Sequence, residues 1–379
     1  TTKVLSIKES MSIARTAKAT VIANVLADLD EVINGNYLPT SYDADNKGRI
    51  TRWAAMAIKA KIYLFEGNWT QVKNITSTIM TEGGFKLFGS YAGLFEIANE
   101  YNSEVILDAQ YRPTSREHQM MYVFLPPTLG GYSQLSPLQE LVDSYIMLDG
   151  KTIKETGTSF DESHPYANRD PRLKATVMYT GNSYTLADGT EVVINCEKGE
   201  GKDGYGVGSD CSATGYYIKK YWDNTYRATL YSGLNPILIR YADILLMNAE
   251  ALAELGELDK TAWDATIKPI RDRAGFTLAS ALEFPEGASK DKLIEIVRNE
   301  RRSELALEGH RHKDIIRWRI ADNVLNGWCH GLKTNDVVGT DDGYVRVENR
   351  TFNANKHYLW PIPQAERDLN GNLEQNPNW

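Results

Sequence analysis

One feature constrains this chain more than any other: a helical-hairpin pattern that occurs twice, with residues 84–235 of different character between the copies. In the first copy, Trp53, Ala57, Ala60, Ile62 and Leu64 recur at helical spacing over residues 51–66. Gly67-Asn68 then turns the chain, and residues 69–80 give a second helix before Glu82-Gly83-Gly84. Ala54, Ala57 and Ala60 leave room for a neighbouring helix to approach closely. A preceding helix is predicted over residues 10–34 from Ile13, Ala17, Val21, Ile22, Val25, Leu29 and Val32, stopped by Asn34-Gly35-Asn36. In the second copy Arg240-Tyr241-Ala242 echoes Arg52-Trp53-Ala54. A helix from Ile237 to Leu255 leads through Gly256-Glu257 into Thr261 to Ala274, closed by Gly275. These are hairpins of the tetratricopeptide type. Two copies do not make a solenoid, but brought together across the insertion they would build one layer of helices. Ser289 is placed to cap a last strong helix running to Glu308 and ended by Gly309.

Between the hairpins, residues 104–111, 173–179 and 190–196 read as short strands, and Pro126-Pro127, Gly130-Gly131 and Asn235-Pro236 mark loops. The fold class is therefore mainly α: tetratricopeptide-like hairpins forming an α-α superhelix scaffold around a loop-rich insertion with a few short strands. One domain is predicted, with helical hairpins at 1–83, the insertion at 84–235, and the second hairpin, last helix and extended tail at 236–379. The formal charge of −8 argues against nucleic acid or a polybasic membrane contact. No apolar run reaches the roughly 18 residues of a membrane span.

The motifs that carry chemistry elsewhere fail here on context. Gly199-Glu200-Gly201-Lys202-Asp203-Gly204 fits G-x-G-x-x-G, but loop-type residues follow where a dinucleotide fold needs a helix. Asp43-Ala44-Asp45-Asn46-Lys47-Gly48 starts like a calcium loop, yet Lys47 and Ala54 occupy ligand positions, so it reads as a turn before a helix. Cys196, Cys211 and Cys329 include no C-x-x-C pair. Cys196 and Cys211 flank a glycine-rich loop and are close enough in sequence to bridge in an oxidising compartment. Glu300, Glu304 and Glu308 share one helix face near His310 and His312. Arg298, Arg301, Arg302, Arg311, Arg317 and Arg319 are interleaved with them, which points to a partly buried ion-pair network rather than to a metal site or an acid–base pair. No cofactor is implied. With 21 Tyr and 8 Trp, the chain is rich in rings with an apolar face and a polar edge, which suit amphipathic ligands and are also ordinary core material.

Several segments together resemble the SusD/RagB outer-membrane lipoproteins. Asn299-Glu300-Arg301-Arg302-Ser303-Glu304-Leu305-Ala306-Leu307-Glu308-Gly309-His310-Arg311, then Asp314, Ile315 and Arg317-Trp318, resembles the hallmark helix of that family. Pro236 to Leu246 with Ala249-Glu250-Ala251 is similar to a second family segment, and Lys59 to Leu64 with Gly67-Asn68-Trp69 to its first hairpin. Leu359-Trp360-Pro361-Ile362-Pro363 with Glu366, then Asn372 to Trp379, is similar to its closing motif. Trp53, Trp69, Trp360 and Trp379 fall in these shared motifs and are assigned to the core. Family members carry a further N-terminal stretch that begins with a lipidated cysteine, so this chain is expected to be the C-terminal part of a member, with the membrane anchor absent from it.

The resemblance implies a non-catalytic receptor on the cell surface. It would capture glycans, or peptides in the RagB branch, and pass them to a TonB-dependent, SusC-like outer-membrane transporter. Its site is expected in loops before and after Leu141-Val142-Asp143-Ser144-Tyr145. On that basis Tyr122 and Tyr132 are candidates for stacking on sugar faces, Arg116 and His118 for donating to sugar oxygens, and Trp222 and Tyr226 for a second loop of the same site. A glycoside hydrolase using Glu304 or Glu308 is the competing reading from a different class.

Overall fold

The computed structural model describes residues 4–223, 225 and 229–379. Its principal helices are α1 (Lys18–Asn34), α2 (Arg52–Phe65), α3 (Trp69–Glu82), α4 (Tyr241–Leu255), α5 (Lys260–Ala265), α6 (Ile267–Ala274), α7 (Lys290–Glu304) and α8 (Arg311–Arg317). Local chemistry sets their ends. The Thr51 hydroxyl accepts from the Ala54 N–H and opens α2, and the Asn68 carbonyl does the same for α3. Gly256 closes α4 at φ 73°, a left-handed conformation that costs glycine little. Ala54, Ala57 and Ala60 are fully buried, so α2 packs close against its neighbours in a cluster that includes Val72, Ile79, Ile244 and Met247. The two hairpins meet directly: Asn248 on α4 donates to Thr76 Oγ1 at 2.9 Å and to Ser77 Oγ at 3.1 Å on α3. On its other side α4 packs through Leu245, Leu246 and Ala249 against Leu293 and Val297 of α7. The result is the one helical layer that the repeated pattern predicts. Among the described residues no helix is long and apolar enough to cross a membrane.

The strands are short: β1 (Val105–Asp108), β2 (Val177–Met178), β3 (Ser183–Thr185), β4 (Glu191–Val193), β5 (Tyr217–Ile218), β6 (Ile237–Arg240), β7 (Gly327–Lys333), β8 (Thr340–Asp341) and β9 (Tyr344–Arg350). All pairings are antiparallel: β1 with β6, β2 with β5, β3 with β4, and β9 between β7 and β8. The β1–β6 pair closes the insertion at its base, holding its two ends side by side.

Several details depart from the sequence reading. The first long helix starts at Lys18 rather than near residue 10, with only a one-turn helix, Ile7–Ser10, before it. The strand expected over 173–179 is a helical turn, Pro171–Thr176, followed by β2. Asp170 accepts from the Arg172 N–H and Pro171 sits at the first helical position, where its missing N–H costs nothing. The helix expected over 261–274 breaks at Thr266. Pro269 in an unbroken helix would clash with the carbonyl four residues back, at Ala265. The last strong helix is capped by Ser289 as expected but ends at Glu304; Leu307 at φ 64° and Gly309 at φ 79° then coil the chain.

Trp53 is buried and Trp69 packs against the same cluster, but Trp360 (78% exposed) and Trp379 (41% exposed) are not core residues. The tail is not extended throughout as expected but carries a short helix, Gln364–Leu369; at its end the Trp379 indole donates to the Leu359 carbonyl at 2.9 Å and lies 4.1 Å from the Lys356 ammonium. The glycine-rich loop at 199–204 opens no helix. Asp43 caps a 3-10 turn, Ala44–Asn46, as a turn before a helix should. Cys196, Cys211 and Cys329 are free thiols, so the structure contains no Cys196–Cys211 bridge; the Cys211 Sγ instead donates to the Lys202 carbonyl at 3.0 Å.

The carboxylates of the hallmark segment form a buried ion-pair network, as their sequence surroundings predict, though mostly with partners from elsewhere in the chain. Arg240, at the end of β6, contacts Glu104 (2.7 Å), Glu304 (2.6 Å) and both oxygens of Glu308 (2.7 Å each). Arg172 joins Asp170 (2.7 Å), Glu300 (2.7 Å) and Glu304 (2.9 Å). Arg271 holds Glu300, Arg273 holds Glu104 and Glu304, and Lys220 holds Glu308. Five carboxylates thus meet five cations, all nearly or fully removed from solvent. Beside them Arg301 pairs with Asp243 and Asp314, and Arg317 with Glu250. Burial alone would raise the Glu304 carboxyl, but Arg273, Arg240 and Arg172 outweigh it and keep it well below the usual range. Glu308 follows the same rule and is held at about 2 by Arg240 and Lys220. Burial lowers the Lys220 ammonium to about 8 against the pull of Glu308, and the His310 imidazole to about 4.

These shifts set the response to acid. Glu308 titrates at 4.5 when unfolded and near 2 when folded, so the unfolded chain takes up protons that the native state refuses, and stability falls as pH drops through that window. His310, lowered from 6.5 to about 4, contributes with the same sign between those values. Because the His330 imidazole, raised against its burial by Asp341 and Glu140, works in the opposite sense, the contribution of His310 is read by difference: in denaturant melts at stepped pH, His310→Gln should lose less stability than the parent between about pH 6.5 and 4. Glu304→Ala, which takes one carboxylate partner from each of Arg172, Arg240 and Arg273 and leaves the buried network one negative charge short, should cost about 3–5 kcal/mol by the same melts.

Candidate ligand-binding site

The region that displays aromatic surface is built on one helical turn, Met120–Phe124. Met121, with Leu125 and Leu129, is buried in the core cluster of the insertion, while Met120 and Phe124 pack against a second cluster around Phe95 and Tyr221. With both sides of the turn committed to cores, Tyr122 is left facing outward. The chain then doubles back through Pro126, Pro127 and Gly130 (φ 83°), so that the Tyr132 N–H donates to the Tyr122 carbonyl at 2.9 Å. Gly131 is required here, because a Cβ would lie 2.1 Å from the Leu125 carbonyl oxygen.

The rings of Tyr122 and Tyr132 consequently lie 4.3 Å apart, inclined by 31°, with Tyr132 40% exposed. A hydrogen bond to Tyr132 raises the Tyr122 phenol, with smaller contributions in the same direction from nearby Asp210 and Tyr231. Tyr231, also exposed, accepts at its hydroxyl from Gln119 Nε2 at 2.6 Å. Three tyrosines and an amide thus share one surface, held by backbone rather than by flexible stems.

His118 anchors that surface. Its backbone exchanges both hydrogen bonds with Ser232, at 2.9 and 3.0 Å, its Nε2–H donates to the Leu234 carbonyl at 2.8 Å, and its Nδ1 accepts from the Met120 N–H at 3.4 Å. Both ring nitrogens are therefore committed to the backbone, and His118 positions the loop rather than offering a free donor. Arg116 is exposed, with its guanidinium 5.3 Å over the Tyr111 ring, and Tyr111 packs edge-on against His118 at 4.8 Å. Trp222 is not brought into contact with the tyrosine pair: its indole N–H donates to the Thr185 carbonyl at 2.9 Å and its ring packs on Tyr184. Tyr226 lies outside the described residues.

The profile of the SusD family matches residues 94–379. The chain belongs to the SusD family. It is 28% identical over 348 residues to SusD-like protein P25 of Formosa agariphila, covering 86% of this chain and 60% of that protein. It superposes on the crystal structure of a SusD-like carbohydrate-binding protein from Bacteroides fragilis with a TM-score of 0.85 at 29% identity, covering 98% of this chain and 74% of that one. A laminarin-binding SusD-like protein shares the fold at 22% identity and a TM-score of 0.63, covering 99% of this chain and 72% of that one. The chain thus spans about three-fifths of the curated relative's length.

A second aromatic surface in this SusD-family chain escaped the sequence reading. Tyr166 and Tyr179 stack at 4.0 Å and 18° on the wall of a cavity of about 1160 Å3 that Phe160 and Tyr344 also line. Arg169 fixes the loop behind them by donating to the carbonyls of Val142 (2.6 Å), Tyr145 (2.7 Å) and Pro165 (2.8 Å). The loop after Tyr145 lies in the region that the resemblance indicates. Pairing Tyr166 with Tyr179, however, takes a tertiary contact between that loop and the residue after β2. Many other tyrosines are core: Tyr184, Tyr216 and Tyr217 are buried, each with its hydroxyl donating to an internal oxygen.

If Gly131 enforces the doubling-back, Gly131→Ala should lower the melting temperature clearly. Tyr132→Ala, at an exposed ring, should stay within about 0.5 kcal/mol of the parent in denaturant melts.

Proposed function

We propose that this chain is the ligand-capturing part of a non-catalytic glycan receptor at the cell surface. The observation that carries this reading is the pre-stacked pair of half-buried Tyr122 and exposed Tyr132, with Tyr231 and Gln119 beside it. A pyranose ring has an apolar C–H face and a polar rim. A rigid tyrosine surface covers the face at low entropic cost, while phenol and amide edges bond the rim. The stacked Tyr166–Tyr179 cavity would take a longer chain or a branch. Delivery of bound glycan to a TonB-dependent outer-membrane transporter, and attachment to that membrane by a lipid, complete the proposal for the longer protein.

The hydrolase reading is disfavoured by the state of its carboxylates. A general acid must hold a proton near neutral pH, whereas Glu304 and Glu308 are buried, multiply ion-paired and held ionised.

Titration calorimetry with laminarin oligosaccharides, maltooligosaccharides and short peptides tests the proposal. A saturable glycan signal should weaken about tenfold in Tyr132→Ala and in Tyr122→Ala, with melting temperature unchanged. A glycan signal lost only in Tyr166→Ala or Tyr179→Ala would move the site to the cavity. Binding of peptides and of no sugar would replace the glycan reading with the peptide one.

A further inference from the structure

Most buried arginines in this chain find carboxylates: Arg172, Arg240, Arg271, Arg273, Arg301 and Arg317 are each ion-paired, while Arg169 is satisfied by backbone carbonyls. Arg302 and Arg311 are half-buried and differ from both groups. Both line a cavity of about 700 Å3 between the hallmark segment, the Ser136–Leu141 loop and β7. Among the described residues neither makes an ion pair. Arg302 donates from Nη2 to the Glu140 carbonyl, and Arg311 lies 5.9 Å from the Trp318 ring. The carboxylates and other guanidiniums of that cavity are already engaged: Arg301 with Asp314, Glu140 with His330, and Arg350 with Glu348. Burial pushes the Arg302 guanidinium down to about 10, and the neighbouring Arg311 charge pushes the same way. Arg311 is lowered by burial as well.

The rest of the lining is largely apolar. Leu305 is buried, while Leu307, Val324 and Trp328 expose 36%, 42% and 43% of their surface. Two half-desolvated, mutually repelling guanidiniums beside an apolar wall are complementary to one kind of ligand. Its anionic head would satisfy both arginines, bidentate contact with a carboxylate being the natural geometry for each, and its apolar body would cover the wall. A volume of this size is ordinary for a small-molecule site.

We propose that this cavity is a binding site for a small amphiphilic carboxylate, with the head between Arg302 and Arg311 and the body against Leu307, Val324 and Trp328. The site is independent of the tyrosine surface and of glycan capture.

Sodium octanoate is the probe, compared by calorimetry at neutral pH with 1-octanol, which lacks the anion, and acetate, which lacks the body. Octanoate should bind saturably at one site and both comparators at least about tenfold more weakly. Arg302→Gln and Arg311→Gln should each weaken octanoate about tenfold. Val324→Trp, which adds bulk to the apolar wall and removes no charge, should weaken octanoate about tenfold and leave the melting temperature near that of the parent. Equal affinity for octanol and octanoate overturns the proposal, as does octanoate binding that Val324→Trp leaves unchanged. If an arginine variant fails to fold, the Val324→Trp result and the octanol comparison still decide the matter.

Discussion

The rest of the structure depends on the ion-pair network around Arg240, Glu304 and Glu308. Its members come from separate stretches of chain: Glu104 beside β1, Asp170 and Arg172 in the middle of the insertion, Lys220 near its end, Arg240 where the second hairpin begins, Arg271 and Arg273 on α6, and three glutamates in and after α7. Burying so many charges has a large desolvation cost, and coulombic gain at best offsets it. What the arrangement supplies is uniqueness. A compact alternative that misplaced any one segment would leave a buried charge unpaired, at a penalty far above the energy of an ordinary contact. Among its described residues the insertion has only two-stranded sheets and many turns, so its seating on the helical layer relies on this network and on the clusters around Phe95 and Tyr145.

That seating has a consequence for the aromatic residues. The turn Met120–Phe124 packs against two cores, through Met121 on one side and Met120 and Phe124 on the other, and leaves Tyr122 half-exposed between them. The tyrosines play different parts. Tyr184, Tyr216 and Tyr217 are buried and donate their hydroxyls to internal acceptors, as Tyr217 does to the Asp203 carbonyl, and burial raises their phenols. Tyr122 with Tyr132 and Tyr166 with Tyr179 form ring pairs that remain partly open to solvent. Rings fixed in this way present apolar area with little conformational entropy left to lose.

Much of the fold is legible from local chemistry. Alanine spacing places α2 against its neighbours, Thr51, Asn68 and Ser289 cap helices at their own positions, and the arginines among Glu300, Glu304 and Glu308 announce ion pairs rather than acid–base chemistry. The misreadings have local causes of a finer kind. Asp170 with Pro171 turns a strand-like stretch into a helical cap, Pro269 splits a helix, and Leu307 and Gly309 let Glu308 leave the helix to reach Arg240. The burial assigned to Trp360 and Trp379 fails for another reason: membership in a shared motif says nothing about which side of a residue faces the solvent.

The sequence by itself determined the helical layer, its caps, the membership of the SusD family and the presence of a charge network, because periodicity, capping and charge interleaving act over a few residues. Tertiary structure alone decided which charge meets which. Arg172 and Arg240 reach Glu304 across 132 and 64 residues, and no local pattern encodes such pairs. It also decided the exposure of the described tyrosines and, among the described residues, left Arg302 and Arg311 without an ion pair. Exposure and pairing are properties of the volume around a side chain, and that volume exists only once the chain has closed on itself.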